Sequence, residues 1–288
     1  MTRSAVLDTL AMPHAVASAM AAPGRGSVRV VRSGNRSVAD RVYATSPLRL
    51  LTPANHGRAA WIFMSSYGGG FVDGDSVVIH AEVGPGAAAF ISTQSSTKVY
   101  RSPHGTVAEM HASVGAEALL VVAPDPIVCF AGARYRQVQQ YDVAESGALV
   151  VVDWLTSGRH TRGERWAFAS YEARLSVRQQ GIEVIHDAVA LRDVDGDLSR
   201  RMHRFNVLAL VTIIGTPVGV DAAAAIRDTA VEPVSTRADQ LVAATALPGG
   251  GCVVRIAGVS FEQVSRTVRQ LLAFVPERIG DSPWDRKW

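Results

Sequence analysis

Apolar and polar side chains alternate with a period of two over residues of about 27–190. The clearest examples are 76-SVVIHAEV-83, 106-TVAEMHASV-114 and 171-YEARLSVR-178. A β-strand with one buried and one exposed face has this period, whereas an amphipathic helix repeats after three or four residues. Turn residues separate the segments at 84–86, 103–105 and 124–126. Many short strands at near-regular spacing predict a mainly β body over residues 27–205.

The C-terminal third, residues 206–288, has a different pattern and predicts a mixed α/β part with two to three helices. Ser260 is expected to cap a helix with Gln263 as its capping-box partner, and Pro276 is expected to end it. The apolar residues of this helix share one face: Phe261, Val264, Val268, Leu271, Leu272 and Val275. Further helices are expected near 221–229 and 235–246, and a strand at Cys252–Ile256. No low-complexity linker interrupts the chain, so one domain over residues 1–288 is predicted.

Composition narrows the class of protein. The chain has 288 residues, 48% hydrophobic and 19% charged, which is typical of a globular protein with a sizeable core. The net charge is +3, from 29 basic and 26 acidic residues without a basic tract, and does not indicate nucleic-acid binding. Cys129 and Cys252 lack Cys-x-x-Cys spacing, so buried thiols in a reducing compartment are expected. No run of about 18 apolar residues predicts a membrane span, and the expected location is the cytoplasm.

The spacing Ser95-x-x-Lys98 is that of the serine nucleophile and its lysine in penicillin-binding enzymes. In those enzymes the motif opens a helix, whereas the residues flanking it here favour a strand. The prediction is one strand face that carries Ile91, Thr93, Ser95, Thr97 and Val99. Residues three apart on a strand point to opposite sides, which argues against deprotonation of Ser95 by Lys98. A serine hydrolase remains an alternative, and a Ser95→Ala variant assayed on an ester reporter would test it.

The glycine-rich stretch 68-GGGFVDGD-75 lacks the sequence of a P-loop or of a dinucleotide-binding turn. It is therefore expected to form a turn or irregular crossing that needs glycine at positive φ, with Asp73 or Asp75 accepting hydrogen bonds from backbone amides. A phosphate site is the less favoured interpretation.

Eight histidines are present, and no pair has the i, i+4 spacing of a helical zinc site. No preformed metal centre is predicted. His80 and His111 both fall on exposed faces of predicted strands, where they either meet across a sheet or stand alone.

The segment 153-DWLTSGRHTRGERW-166 carries four charged residues near glycines: Asp153, Arg159, Arg162 and Glu164. This density predicts ion pairs in a tight turn or at a protein interface, where arginine binds carboxylates through two hydrogen bonds. A solvated loop is the alternative.

Four stretches, in this order and at consistent spacing, resemble one protein family: 68-GGGFVDGD-75, 93-TQSSTKVYRS-102, 124-PDPIVCFAGARY-135 and 158-GRHTRGERW-166. The family is that of the urease accessory protein UreD, also called UreH. The resemblance covers residues of about 27–190 and is weak in the C-terminal third. Ser65, Ser66 and Tyr67 stand where many relatives have a histidine or a proline-rich stretch.

The resemblance implies a helix-like stack of β-strands in two layers, with two helices toward the C-terminal part. It also implies a scaffold rather than an enzyme. Such a scaffold binds the urease apoprotein and the helical partner UreF, and it recruits the GTPase UreG through UreF. Nickel would pass transiently through a polar internal passage, without a permanently bound cofactor. The C-terminal helices are the expected surface for the helical partner.

The polar residues of these stretches suggest where the passage lies. Buried hydroxyls without partners cost about 1–3 kcal/mol each, so they should face water or a partner. Hydroxyl and carboxylate oxygens bind a hard or borderline cation weakly enough to release it. The candidate passage residues are Asp73, Asp75, Ser95, Thr97 and Glu164. The candidates for structural support or charge balance are Gly68, Gly69, Gly70, Lys98, Tyr100, Arg101, Arg134, Asp153, Arg159 and Arg162. A β-rich interaction module of another assembly is the remaining alternative.

Overall fold

The computed structural model describes residues 22–215, 218–228 and 237–285. The described chain is mainly β, as the alternation predicts. Its strands are β1 (Gly24–Ser33), β2 (Arg36–Ala44), β3 (Leu48–Leu51), β4 (Ala60–Ser66), β5 (Ser76–Val83), β6 (Ala88–Thr93), β7 (Thr97–Val99), β8 (Thr106–Val114), β9 (Leu119–Val122), β10 (Ile127–Cys129), β11 (Arg134–Val143), β12 (Ala148–Thr156), β13 (Ser170–Gln179), β14 (Ile182–Arg192), β15 (Val207–Ile214), β16 (Gln240–Leu247) and β17 (Gly251–Gly258). The three clearest alternating segments thus form β5, β8 and β13.

Helices are short and concentrate in the C-terminal part. They are α1 (Leu198–Arg201), α2 (Gly219–Asp228), α3 (Phe261–Leu271) and α4 (Val275–Ile279), with 3-10 turns at His160–Arg162 and Asp193–Asp195. The helix predicted near 221–229 corresponds to α2. Within the described ranges, every helix is too short or too polar to cross a membrane.

The strands form two sheets. In the seven-stranded sheet the spatial order is β14-β13-β11-β8-β5-β1-β2. In the ten-stranded sheet the main order is β16-β17-β15-β12-β9-β6-β4-β3, and β10 joins β7 to β12 beside it.

Between β4 and β13 the chain coils, alternating from one sheet to the other. Each turn of the coil adds one parallel strand to each sheet: β4, β6, β9 and β12 to the ten-stranded sheet, and β5, β8, β11 and β13 to the seven-stranded sheet. The helix-like stack of strands in two layers is therefore confirmed.

Two apolar layers hold this architecture together. The first lies between the sheets and includes Val30, Ile62 and Leu120. The second lies between the ten-stranded sheet and the C-terminal helices and includes Val264 and Leu272. Burial of each such side chain contributes about 1.5–3 kcal/mol relative to exposure. The ten-stranded sheet is thus covered on both faces, whereas the outer face of the seven-stranded sheet carries polar residues.

The helix predicted after Ser260 is present, but its end differs from the prediction. The Ser260 hydroxyl oxygen accepts a hydrogen bond from the Gln263 backbone N–H at 3.4 Å, which confirms the N-cap. The helix α3 ends at Leu271, and Pro276 lies at the start of α4 instead of ending α3. Proline is tolerated there because the first N–H groups of a helix have no intrahelical partner.

The helix predicted near 235–246 is wrong. Residues 235 and 236 lie outside the described residues, and Gln240–Leu247 form β16, paired antiparallel with β17. The alanines of 240-QLVAATAL-247 favour a helix only weakly, and pairing with a neighbouring strand overrides so weak a preference. The strand predicted at Cys252–Ile256 lies within β17 and is confirmed.

The continuous strand predicted from Ile91 to Val99 is also wrong, because the chain bends between β6 and β7. The strand β6 pairs with β4 and β9, whereas β7 pairs with β10. The chain therefore leaves one ladder and enters another over residues 94–96. Ser95 lies in this bend and is exposed.

Candidate functional site

The four stretches that carry the resemblance overlap four successive crossings from the ten-stranded to the seven-stranded sheet. The crossings are 67–75, 100–105, 130–133 and 157–169, and they stack side by side at one end of the coil. Backbone hydrogen bonds join them: the Tyr100 N–H donates to the Phe71 carbonyl at 2.9 Å, and the Gly132 N–H to the Ala167 carbonyl at 3.0 Å. Stretches that are distant in sequence therefore make one continuous surface.

Asp73 and Asp75 fix the shape of the first crossing, as predicted for one or the other. The Asp75 carboxylate accepts the Val72 N–H at 2.8 Å. The Asp73 carboxylate accepts the His104 N–H at 2.8 Å and lies 2.6 Å from His104 Nδ1, which ties the first crossing to the second. The hydrogen bond from His104 lowers the pKa of the Asp73 carboxyl below its ordinary value.

An ion pair in the fourth crossing reaches the third. Arg159 Nε donates to Glu164 Oε2 at 2.9 Å, and the same carboxylate accepts the Ala131 N–H at 3.1 Å. The Arg159 guanidinium lies 4.2 Å from the ring centroid of Phe130, whose ring packs edge-on against Tyr100 at 5.2 Å. The ion pair predicted in a tight turn is therefore present, and the hydrogen bond from Arg159 lowers the pKa of the Glu164 carboxyl.

Glu164→Gln is expected to lower the melting temperature at neutral pH. A lowered pKa means that the carboxylate stabilises the fold above its ordinary pKa of 4.5, and that this contribution disappears as the pH falls through the lower value in the folded state. A loss of about 1 kcal/mol corresponds to a decrease of about 2–4 °C. Calorimetry at pH 7.5 and pH 3 should show a difference from wild type that shrinks in acid. The exposed Glu145→Gln is the control, and equal melting curves for Glu164→Gln and wild type at pH 7.5 would contradict the assignment.

Four cationic side chains that the sequence singled out are exposed along this end of the coil. They are Lys98, Arg101, Arg134 and Arg162. The Arg134 backbone is held by the second crossing, since its N–H donates to the Ser102 hydroxyl at 2.8 Å.

A first cavity of about 140 Å³ lies behind the crossings, between the two sheets. Ser95, Thr97, Gly69 and Gly70 line it from the side of the ten-stranded sheet, and β11 contributes Gln137 and Gln139 from the other side. The structure therefore brings Ser95 and Thr97 together at one cavity. It does not place Asp73, Asp75 or Glu164 in the walls of that cavity.

A second cavity of about 350 Å³ opens at the other side of the sheets, between β13 and β14 and the strands β15 to β17. Its walls are largely apolar, with three charged residues: Asp153, Asp187 and Arg255. An ion pair joins Arg255 of one sheet to Asp187 of the other across its opening.

A hydrogen-bonded network lies between the two cavities. Gln137 Nε2 donates to Asp153 Oδ2 at 3.1 Å, and the Tyr171 hydroxyl donates to Asp153 Oδ1 at 3.4 Å. The Tyr135 hydroxyl donates to Gln137 Oε1 at 3.1 Å. Gln137 belongs to the first cavity and Asp153 to the second, so this contact is the point at which the cavities meet.

Asp153 is an internal carboxyl group and not a partner of the nearby arginines. Protein atoms bury most of it, and part of its surface faces the second cavity. Burial raises its pKa to about 6, and the charge of Asp187 adds to the rise, while hydrogen bonds from Gln137 and Tyr171 oppose it. A carboxyl group with this pKa changes its protonation state close to neutral pH.

Gln137 was missed by sequence reasoning. The signal for it lies in 134-RYRQVQQYDV-143, where alternation places Gln137 and Gln139 on the same inward face as Tyr135 and Tyr141. Two amides among inward-facing residues of one strand indicate an internal polar network.

Other metal-binding groups are sparse in the described residues. No cluster of three or more His, Cys, Asp or Glu side chains there has the arrangement of a metal site. Cys129 and Cys252 are buried free thiols, as predicted, and burial raises the pKa of the Cys252 thiol to about 11.

Comparison with known proteins shows the family of this chain. The family model described as UreD urease accessory protein matches residues 22–288. The chain belongs to the UreD family. The urease accessory protein UreD of Sorangium cellulosum is 47% identical, over 92% of this chain and 84% of its own length. Urease accessory protein D of Oryza sativa subsp. indica is 35% identical, over 95% of this chain and 99% of its own. UreD of Haloarcula marismortui is 32% identical, over 90% and 88%. The chain is therefore a urease accessory protein.

Proposed function

We propose that this member of the UreD family is a non-enzymatic scaffold for urease maturation in the cytoplasm. It binds the urease apoprotein and a UreF-type protein, and through the latter it recruits a UreG-type GTPase. Its task is to assist nickel insertion. Family membership supports the urease connection, and the stacked crossings supply a broad rigid surface for protein contacts.

The contact between Gln137 and Asp153 carries the proposal of an internal nickel passage. Polar side chains follow one another from the exposed bend at Ser95, past Thr97 and Gln137, to the Asp153 carboxylate in the second cavity. Hydroxyl and amide oxygens replace water around a divalent cation without holding it tightly. Asp153 supplies a carboxylate at the junction, and binding of a cation there displaces its proton.

A passage role for Asp73, Asp75 and Glu164 stays a prediction. Their carboxylates accept hydrogen bonds from the backbone of the crossings. These contacts give them a second role, which is to hold the wall that contains Gly69 and Gly70.

The surfaces available to partner proteins are those that the fold itself leaves exposed. The apolar face of α3 packs on the ten-stranded sheet, so a UreF-type protein that meets this helix contacts its polar outer face, which includes Glu262, Arg266 and Arg269. The exposed cations of the crossings form a second surface suited to an acidic partner.

Co-expression tests the scaffold directly. The tagged chain is produced with the UreF-type protein and apo-urease of the same organism, and the complex is washed at high salt. Retention of both proteins is the expected result, because arginine contacts that are desolvated inside an interface persist when exposed charges are screened. A folded chain that retains neither protein would contradict the proposal.

The serine hydrolase alternative rests on Ser95. Within the described residues, Ser95 makes no hydrogen bond to a histidine, lysine or carboxylate, and it lies in an exposed bend. The scaffold predicts no turnover of an ester reporter by wild type. Turnover that is lost in Ser95→Ala would favour the hydrolase, and wild-type turnover without urease binding would favour another assembly.

A further inference from the structure

A pocket with three arginines lies at the end of the coil opposite the crossings. There the chain passes back from the seven-stranded to the ten-stranded sheet through three return turns, at residues 84–87, 115–118 and 144–147. The pocket has a volume of about 210 Å³, and the first two return turns form part of its wall. It shares no lining residue with the two internal cavities, so it is separate from the proposed passage. Its cationic residues are Arg32, Arg58 and Arg278.

Hydrogen bonds orient two of these arginines toward one another's surroundings. Arg32, in β1, donates from Nε to the Gly34 carbonyl at 2.7 Å and from Nη1 to the Gly86 carbonyl at 3.1 Å. Arg58, in the segment before β4, donates from Nε to the Arg278 carbonyl of α4 at 2.7 Å. A guanidinium group has five N–H donors, so these contacts hold each side chain in place and leave part of its donors free.

The charge of the pocket is positive. The charged residues of its described lining are the three arginines and one glutamate, Glu117, which gives a formal charge of +2. Arg278 pairs with the Asp221 carboxylate at 2.9 Å. Within the described ranges, the side chains of Arg32 and Arg58 donate to neutral backbone carbonyls instead. Two guanidinium charges thus lack a carboxylate partner there, and an anion in the pocket would supply the opposite charge.

A buried hydroxyl group in the pocket wall also lacks an acceptor. Ser37 of β2 lines the pocket and is only 8% exposed. Its Oγ accepts the Ala88 N–H at 2.8 Å, but its own O–H donates to no group in the part of the chain that the structure describes. A buried donor without an acceptor is unfavourable, so the acceptor has to come from the occupant of the pocket.

We propose that Arg32, Arg58, Arg278 and Ser37 form a binding site for a phosphate group. The planar guanidinium group matches two oxygens of a phosphate at once, and the serine hydroxyl donates to a third. A phosphate monoester carries about −1.5 to −2 charges at pH 7, which balances the charge of the lining. Inorganic phosphate and a small phosphate monoester share this chemistry, and their relative affinities distinguish the two sources.

Calorimetric titration of the full-length chain tests the site. Inorganic phosphate and glycerol 3-phosphate are titrated separately, in Tris chloride at constant ionic strength. Wild type should bind phosphate saturably, and Arg32→Gln or Arg58→Gln should weaken binding about tenfold each, because each removes charged donors. Arg200→Gln is the matched control, since it removes the same charge from an exposed position in α1 and should bind as wild type does. Tighter binding of the ester would identify a phosphorylated small molecule as the source, and tighter binding of the ion would identify free phosphate.

Two further measurements separate a built site from general attraction of anions. Arg58→Lys keeps the charge but loses the planar group, and it should also bind phosphate more weakly than wild type. Phosphate should raise the melting temperature of wild type and of Arg200→Gln, but not that of the Arg32→Gln, Arg58→Gln double variant. Both arginines are exposed, so the double variant should keep the wild-type circular dichroism spectrum. Equal phosphate affinities for wild type and the double variant, or no saturable binding by folded wild type, would overturn the proposal.

Discussion

Asp153→Asn is expected to reduce urease activation to the background of cells that lack this chain, while making the protein more stable. The asparagine keeps the hydrogen bond from Gln137 but cannot supply a carboxylate to a cation at the junction of the cavities. Urease activity in cells that co-express the accessory proteins measures the first effect.

The gain in stability follows from the raised pKa of Asp153. Its folded state holds the proton up to a pH of about 6, whereas its ordinary pKa is 3.8. The wild-type chain therefore has the full contribution of this group below about pH 4 and loses it as the pH rises through 6. The variant lacks this loss and should be more stable at pH 7.5 by about 1–3 kcal/mol.

Urea denaturation at pH 4.5 and pH 7.5 measures the second effect, with the exposed Asp195→Asn as the matched control. The two effects are separable. Unchanged urease activation in a more stable Asp153→Asn protein would remove the passage from the proposed function and leave the scaffold in place. Lower stability at pH 7.5 would contradict the raised pKa.

Gly70→Ala is expected to be strongly destabilising, by about 3 kcal/mol or more. A Cβ atom at this position would lie 2.5 Å from the Lys98 carbonyl oxygen and 2.9 Å from the Tyr100 ring. The same carbonyl accepts the Phe71 N–H at 2.8 Å, so relief of the clash breaks the hydrogen bonds that join the first two crossings. Overpacking of about 1–3 kcal/mol adds to the loss of these bonds.

Gly69→Ala is the matched control for Gly70→Ala. Gly69 has a φ of +73°, and a Cβ atom there meets nothing within 4 Å. Its cost is that of the left-handed conformation alone, about 1–2 kcal/mol. Urea denaturation should give a much lower free energy of unfolding for Gly70→Ala than for Gly69→Ala. Equal losses of stability would show that the first two crossings can move apart at little cost.

The strands of the coil were predictable because their pattern is repeated and local. Residues 76–83, 106–114 and 171–178 alternate without a break, and each lies in a strand with one face on the core. The same alternation placed His80 and His111 on exposed faces. Their rings stack across β5 and β8 with centroids 5.2 Å apart, and this pairing depends on the register of parallel strands, which no local pattern specifies.

The wrong sequence predictions concern segments whose structure depends on strands that are distant in the sequence. The segment 240–247 is a strand because β17 offers it an edge, and the bend at Ser95 exists because β6 and β7 belong to different ladders. Asp153 was grouped with Arg159 and Arg162 by proximity in sequence. The strand β12 turns its side chain inward to Gln137 of β11, a contact that only the stacking of the sheets creates.

Hydrogen bonds between the segment before β4 and the end of α4 limit how early the chain can complete its fold during synthesis. The His56 N–H donates to the Asp281 carboxylate at 2.8 Å, across 225 residues, and the Arg58 N–H donates to the Ile279 carbonyl at 2.8 Å. The turns of the coil contact mainly their neighbours and can form one after another as the ribosome releases them. The backbone donors that precede the first turn gain these partners only when residues 279–281 emerge. The fold can therefore close only after translation has passed residues 279–281.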